Sequence, residues 1–90
     1  MPRLTAEQVQ AQRDALDARL RSGSLDVATA IRSMRGIMQL SQTEFGRRFG
    51  LSQRQISALE TGVANPTAEL LDRVGRAFGM RVGFVRRSAD

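Results

Sequence analysis

The strongest structural signal in this chain is LSQTEFGRRFGLSQRQISALETGVANPTAELLDRVGRAFGM, which spans residues 40–80. Ser41 begins a capping box, the side-chain pattern that starts a helix. Gly50 can take the left-handed conformation that ends this helix after about two turns. Ser52 can then cap a second short helix, which is expected to end before Gly62. The stretch therefore predicts two short helices joined by a very tight turn.

The apolar residues of this stretch fall where two such helices would face each other and the core. These residues are Phe45, Phe49, Leu51, Ile56 and Leu59. Gly46 leaves room for a close approach of the helices. Glycine inside a helix also costs about 1 kcal/mol relative to alanine, so it is expected to lower stability here without blocking the fold. The pattern predicts a helix-turn-helix, whose second helix enters the DNA major groove.

Three further helices are predicted around this pair. Thr5 begins a capping box, and the helix that it starts ends at the flexible segment 22–24. Asp26 can cap the next helix, whose apolar residues follow the spacing of one helix face. Residues 65–67 then start a last amphipathic helix, which is expected to stop at Gly79. The predicted fold class is therefore all-α.

Beyond Gly79 the apolar residues alternate with a period of two, which predicts a short β-strand. Its residues are Arg81, Val82, Gly83, Phe84 and Val85. Since a lone strand cannot satisfy its own backbone groups, it is expected to pair with a second copy of the chain or with a partner's sheet edge. A flexible tail is the alternative. The predicted organisation is a helical appendage and linker over 1–24, the helix-turn-helix domain over 25–80, and a strand and tail over 81–90.

The composition narrows the possible functions of the 90 residues. The 14 basic residues, all arginine, exceed the nine acidic residues and give a net charge of +5. This excess favours an anionic partner such as nucleic acid, although a mutational bias toward arginine codons would also remove lysine. Without His, Cys, Lys, Tyr or Trp, the chain lacks the usual nucleophile–base pairs and zinc ligands. We therefore expect no enzyme activity and no cofactor.

The sequence also contains no segment that resembles a targeting or membrane signal. Its first 20 residues hold no apolar run like that of a signal peptide, and no stretch approaches the roughly 20 apolar residues of a membrane span. We expect a cytoplasmic protein without a membrane partner.

Residues 26–80 resemble the Cro/C1-type (Xre) helix-turn-helix family of phage repressors and antitoxins. The resemblance rests on Gln42 at a helix start, the Gly50 turn, Ile56 and Leu59 in the core, Glu60, and Asn65–Pro66 before the last helix. It implies a lambda-repressor-like helical bundle, to which this chain adds an N-terminal helix and the predicted C-terminal strand. Gly46 is a departure, because the family usually has alanine at that position.

Short family members that end in a strand resemble the HipB-like antitoxins, and the HigA-like antitoxins are close competitors. This resemblance implies a homodimer that binds an inverted-repeat DNA operator, represses its own operon and also holds a toxin protein. A free-standing phage, plasmid or mobile-element repressor without a toxin is the alternative. A third hypothesis is an interaction adaptor that keeps the fold and has lost DNA binding, since fold does not fix function.

The resemblance further implies roles for individual residues. Base reading is expected from Gln53, Arg54, Ser57 and Ala58, with the glutamine amide matching adenine and the guanidinium matching guanine. Contacts to the DNA backbone are expected from Gln42, Ser52, Thr61, Asn65, Thr67, Arg47 and Arg48. Arg35 and Glu60 are expected to form an internal ion pair that sets the angle of the recognition helix. The alternatives are a merely solvated face at 53–55, a merely solvated charge pair at Arg47 and Arg48, and a DNA contact by Arg35.

Overall fold

Five α-helices make up the part of the chain that the computed structural model describes, residues 3–87. They are α1 (Ala6–Ser22), α2 (Val27–Met38), α3 (Gln42–Phe49), α4 (Gln53–Glu60) and α5 (Ala68–Arg76). The last helix ends at Arg76, earlier than predicted, and is followed by a turn over 77–79 in which Gly79 takes a positive φ of 70°. Among residues 3–87, none of the helices combines the length and the apolar character that a bilayer crossing requires.

Each helix begins at a residue whose side chain accepts a hydrogen bond from the backbone of the first turn. These N-cap residues are Thr5, Asp26, Ser41, Ser52 and Thr67. In α1, α3 and α4 the side chain of the third helical residue also accepts from the backbone N of the N-cap residue, which completes a capping box. Each cap contributes about 1 kcal/mol, which matters most for α3 and α4 because they have only 8 residues each.

The helices share one apolar core. Phe45, Ile56 and Val74 have almost no exposed surface, and they come from α3, α4 and α5 respectively. The rings of Phe45 and Phe49 lie 4.9 Å apart between centroids in a tilted arrangement, which is favourable for aromatic pairs. Residues of α2, among them Ile31, complete the same cluster. The motif helices are thus fixed by a core to which every element contributes.

The N-terminal helix also belongs to this core. Leu16 of α1 is only 3% exposed and lies in the same buried cluster as Ile31. The guanidinium of Arg13 lies 5.5 Å from the centre of the Phe78 ring, a distance at which a cation and an aromatic face attract each other. Helix α1 therefore packs on the bundle by both apolar and cation–π contacts.

The predicted C-terminal strand is wrong for the described residues. The segment 81–87 has no regular secondary structure, and no β-strand occurs within residues 3–87. A strand needs a neighbouring edge for its backbone N–H and C=O groups, and every described element is a helix. A hydrogen bond from the backbone N of Val82 to Asp72 Oδ1 holds the start of the tail. The end of the predicted tail, residues 88–90, lies outside the described residues.

Gly46 occupies the closest approach between α3 and the turn that follows it. A Cβ atom at this position would lie 2.3 Å from the backbone oxygen of Leu51 and 3.3 Å from Cγ1 of Ile56. The expectation that Gly46 leaves room for close approach agrees with this geometry. The expectation that alanine would be more stable here is wrong for this backbone, because the turn would have to move.

Two glycine substitutions test this constraint. We expect Gly46→Ala to lower the free energy of unfolding by about 1–3 kcal/mol, since overpacking outweighs the gain in helix propensity. Gly36→Ala is the matched control, because Gly36 is exposed on α2 and a Cβ there would meet no heavy atom closer than 3.9 Å. It should gain up to about 1 kcal/mol in urea unfolding. Equal stabilisation by both substitutions would contradict the constraint.

Candidate nucleic-acid interface

The exposed start of α4 carries the two side chains that were expected to read bases most directly. Gln53 and Arg54 are the first two residues of the helix, and both are exposed. Ser52 caps the helix end beside them, and Gln55 completes the capping box by accepting from the Ser52 backbone N at 2.8 Å. The amide oxygen of Gln55 is thereby engaged, whereas Arg54 forms no ion pair among the described residues. Arg54 is therefore available for a bidentate contact.

Gln53 is held by a side chain of the first motif helix. Its Nε2 donates to Oε1 of Gln42 at 2.6 Å, across eleven residues of sequence. This bond leaves the Oε1 of Gln53 free to accept and one N–H of its amide free to donate. One acceptor beside one donor is the pattern that matches N6 and N7 of adenine. The contact therefore orients the amide without using up its capacity to read a base.

Ser57 and Ala58 lie further along α4 and are less accessible. Both are half-buried, and Ala58 lines a shallow groove with Asn65 and Thr67. Their backbone carbonyls accept from the hydroxyl of Thr61 at 3.1 and 3.3 Å. Base reading by these two residues would need a deeper approach of the DNA than base reading by the start of the helix.

The hydroxyl residues expected at the DNA backbone fall into two groups. Oγ of Ser52 and Oγ1 of Thr67 accept backbone N–H groups at the starts of α4 and α5, so their own O–H groups remain free to donate to a phosphate. The hydroxyl of Thr61 already donates to its own helix. The structure therefore suits Ser52 and Thr67 for a phosphate contact, and it engages Thr61 elsewhere.

Three of the four remaining backbone candidates are exposed. Asn65 lies in the loop before α5, and Arg47 and Arg48 lie in the last turn of α3. Neither arginine forms a salt bridge with a carboxylate among the described residues. Gln42 is half-buried at the start of α3. These side chains can reach an anionic partner without first giving up an internal ion pair.

Arg35 and Glu60 form a bidentate ion pair between α2 and the end of α4. Arg35 Nε lies 2.7 Å from Glu60 Oε2, and Arg35 Nη2 lies 2.9 Å from Oε1. The Glu60 side chain is only 6% exposed and that of Arg35 is 27% exposed. The hydrogen bonds from Arg35 lower the pKa of the Glu60 carboxyl group, while burial acts in the opposite direction. The pair fixes the last turn of α4 against α2.

Arg32 makes a further contact with α4 that was not predicted from the sequence. It donates to the backbone oxygen of Glu60 and to Oγ1 of Thr29. The signal that could have found it is its position three residues before Arg35, because residues with this spacing lie on the same helix face. Two arginines of α2 therefore hold the end of α4.

The pH dependence of stability tests the buried ion pair. A carboxyl group whose pKa is lowered by folding from its ordinary value of 4.5 stabilises the fold above that pH and loses the effect as pH falls through the folded pKa. Glu60→Gln should cost about 2 kcal/mol at pH 7, since Arg35 loses its charged acceptor. The difference in unfolding free energy between Glu60→Gln and the unchanged protein, measured by urea unfolding, should become smaller below about pH 4.

Glu69→Gln is the control for this measurement, because Glu69 is an exposed residue of α5. It should change the unfolding free energy by less than about 1 kcal/mol at either pH. If the cost of Glu60→Gln stayed constant between pH 7 and pH 3, the ionised pair would not be the source of the stability.

Comparison with known proteins places the motif in a family. The family model described as "Helix-turn-helix" matches residues 31–85, from within α2 through α5 to the tail. No curated protein and no solved structure matches the chain. The family is one of DNA-binding, non-enzymatic domains, and its match covers more than half of the 90 residues. The chain therefore belongs to the Cro/C1-type (Xre) helix-turn-helix family, whose domain implies a DNA-binding transcriptional regulator.

Proposed function

We propose that the protein is a sequence-specific repressor that binds its operator as a homodimer. The observation that carries this proposal is the start of α4, where Gln53 and Arg54 are exposed and Gln42 orients Gln53. A buried ion pair at the opposite end of the same helix, between Arg35 and Glu60, fixes its direction. Fixed helix geometry with free polar side chains at one end is what direct base readout requires.

The proposed division of labour follows from the chemistry of each side chain. Arg54 contacts O6 and N7 of a guanine, and Gln53 contacts an adenine. Ala58 offers a methyl group to a thymine, and Ser57 lies beside it. Contacts to phosphates position the helix and are supplied by Gln42, Ser52, Thr61, Asn65, Thr67, Arg47 and Arg48. In the free protein Thr61 bonds to its own helix, so its contribution requires its hydroxyl to reorient.

A homodimer is supported by apolar surface that remains exposed at the C-terminal tail. Phe84 and Val85 are 107% and 85% exposed. An apolar groove lies nearby, lined by Leu20, Val27 and Leu71 among others. Exposed apolar surface of this kind marks interaction sites, and a symmetric dimer would bring each tail to the groove of the other copy. Such a dimer places its recognition helices about 34 Å apart, or a multiple of that, on an inverted repeat.

An antitoxin is the second candidate function, and the same exposed tail is the observation that favours it. A segment such as Phe84–Val85, with its side chains free, is suited to binding a toxin protein. An antitoxin of this kind is also a homodimer, so the two candidates differ in whether the protein binds a toxin in addition. In both, the helix-turn-helix represses transcription.

The double substitution Gln53→Ala, Arg54→Ala tests base readout. Each lost base contact costs about 1–3 kcal/mol, so we expect operator binding to weaken by 100-fold or more, roughly. Binding to random-sequence DNA should change far less. The measurement is fluorescence anisotropy with a duplex selected from the host genome by binding to the unchanged protein.

The matched control is Gln10→Ala, Arg21→Ala, which removes the same two side-chain types and the same charge from exposed positions on α1. It should bind the operator almost normally, and both variants should keep the thermal stability of the unchanged protein. Equal losses in the two double variants would show that charge alone, and not readout at α4, sets the affinity.

Phe84→Ser tests the dimer. If each tail buries its phenylalanine against the other copy, two aromatic contacts are lost, and the dimer Kd should rise by roughly 100-fold in analytical ultracentrifugation. Val63→Ser is the control, because Val63 is an 81% exposed apolar residue in the loop before α5. A monomer at micromolar concentration for the unchanged protein would contradict the homodimer. If the unchanged protein also co-purified with the product of a neighbouring gene, the antitoxin would be favoured.

A further inference from the structure

Gln39 has an unusual backbone conformation at the end of α2. Its φ of 57° is the one positive value at a non-glycine among the described residues, in the left-handed region that L side chains rarely adopt. The conformation ends α2, and Oε1 of Gln39 accepts from the backbone N of Leu4 at 2.8 Å. A residue in a disfavoured conformation thus holds a chain segment 35 residues away in sequence.

This bond determines where the chain lies before α1. Helices α1 and α2 are joined by the short segment 23–26 and pack against each other, so the start of α1 returns to the end of α2. Arg3 then lies in a cleft beside Ser41, the N-cap of α3. The segment formed by residues 3–5, called the arm below, is therefore placed next to the first motif helix.

The cleft at the arm holds one arginine, Arg3, that forms no salt bridge among the described residues. It is lined by Arg3, Leu4, Gln12, Arg35, Gln39 and Ser41, among others, and none of the described residues that line it is acidic. Two carboxylates lie close by, and one of them neutralises Arg35. Glu44 accepts from the Ser41 backbone N, and Glu60 is bonded to Arg35. Arg35 is thus neutralised within the chain, and Arg3 is the positive charge of the cleft that remains to attract an anion.

We infer that Arg3 contacts a DNA phosphate next to the one proposed for Gln42, and that Gln39 is the positioning residue for this contact. The inference rests on the proposed function, in which the start of α3 faces the DNA backbone. It gives α1 a role beyond packing, since this helix runs back along α2 and so places the arm at the end of the bundle that faces the DNA. The contact is sequence-independent because it involves phosphate alone.

The test uses the full chain and a random-sequence 24-base-pair duplex, in anisotropy titrations across a range of salt concentrations. Arg3→Ala should weaken binding about three- to tenfold and reduce the slope of log K against log salt by about 0.9. Gln39→Ala should weaken binding in the same direction. The double variant should be no weaker than Arg3→Ala, because both changes remove one contact. Arg21→Ala is the charge-matched control, at an exposed position near the opposite end of α1.

Each alternative outcome is distinguishable. If Arg3→Ala behaved like Arg21→Ala, or if Gln39→Ala lowered only the melting temperature, the inference would be overturned. If 10 mM inorganic phosphate at constant ionic strength stabilised the protein only when Arg3 was present, and DNA affinity did not depend on Arg3, the cleft would hold a free anion instead. If the unchanged protein failed to bind the duplex even at 50 mM salt, the proposed DNA-binding function would itself fail.

Discussion

The ion pair between Arg35 and Glu60 is the interaction on which the rest of this structure depends. An α-helix of 8 residues such as α4 does not form by itself in water, so its position must come from tertiary contacts. The buried carboxylate of Glu60 accepts two hydrogen bonds from Arg35, and the backbone oxygen of Glu60 accepts one from Arg32. At the other end of α4, Gln53 is bonded to Gln42 of α3. The exposed polar residues of α4 therefore project from a helix that is fixed at both ends.

A small core explains why so many polar contacts are needed. A chain of this size gains only a few kcal/mol from its core after the loss of conformational entropy. Helix α1 adds Leu16 to the core and places Arg13 over Phe78. Its contribution shows that a segment can look separate in sequence, because it ends at a flexible Ser-Gly-Ser, and still be part of the packed unit. Removing such a segment would expose the apolar faces of α2 and the turn after α5.

Local features of this protein could be predicted from the sequence, and long-range ones mostly could not. The caps at Ser41 and Ser52 are set by residues within three positions of each other, so the motif helices were predicted closely. The pairing of Arg35 with Glu60 came from the family resemblance. Arg32 was missed because its partner lies 28 residues away. The prediction of a strand was wrong because alternating apolar residues describe only the side-chain faces of a segment. A strand also needs a neighbouring strand to bond its backbone N–H and C=O groups.

The arginines show why net charge is a weak guide to where a basic protein binds. The total of +5 suggests a broad cationic surface, yet several arginines are engaged within the chain. Arg32 and Arg35 hold α4, Arg13 covers an aromatic ring, and Arg76 pairs with Asp72. The positions of the arginines in the fold, and not their number, decide which of them can contact an anionic partner. Each phosphate contact adds its own increment to the salt dependence of binding. The salt dependence therefore reports how many arginines contact phosphates, which the composition does not.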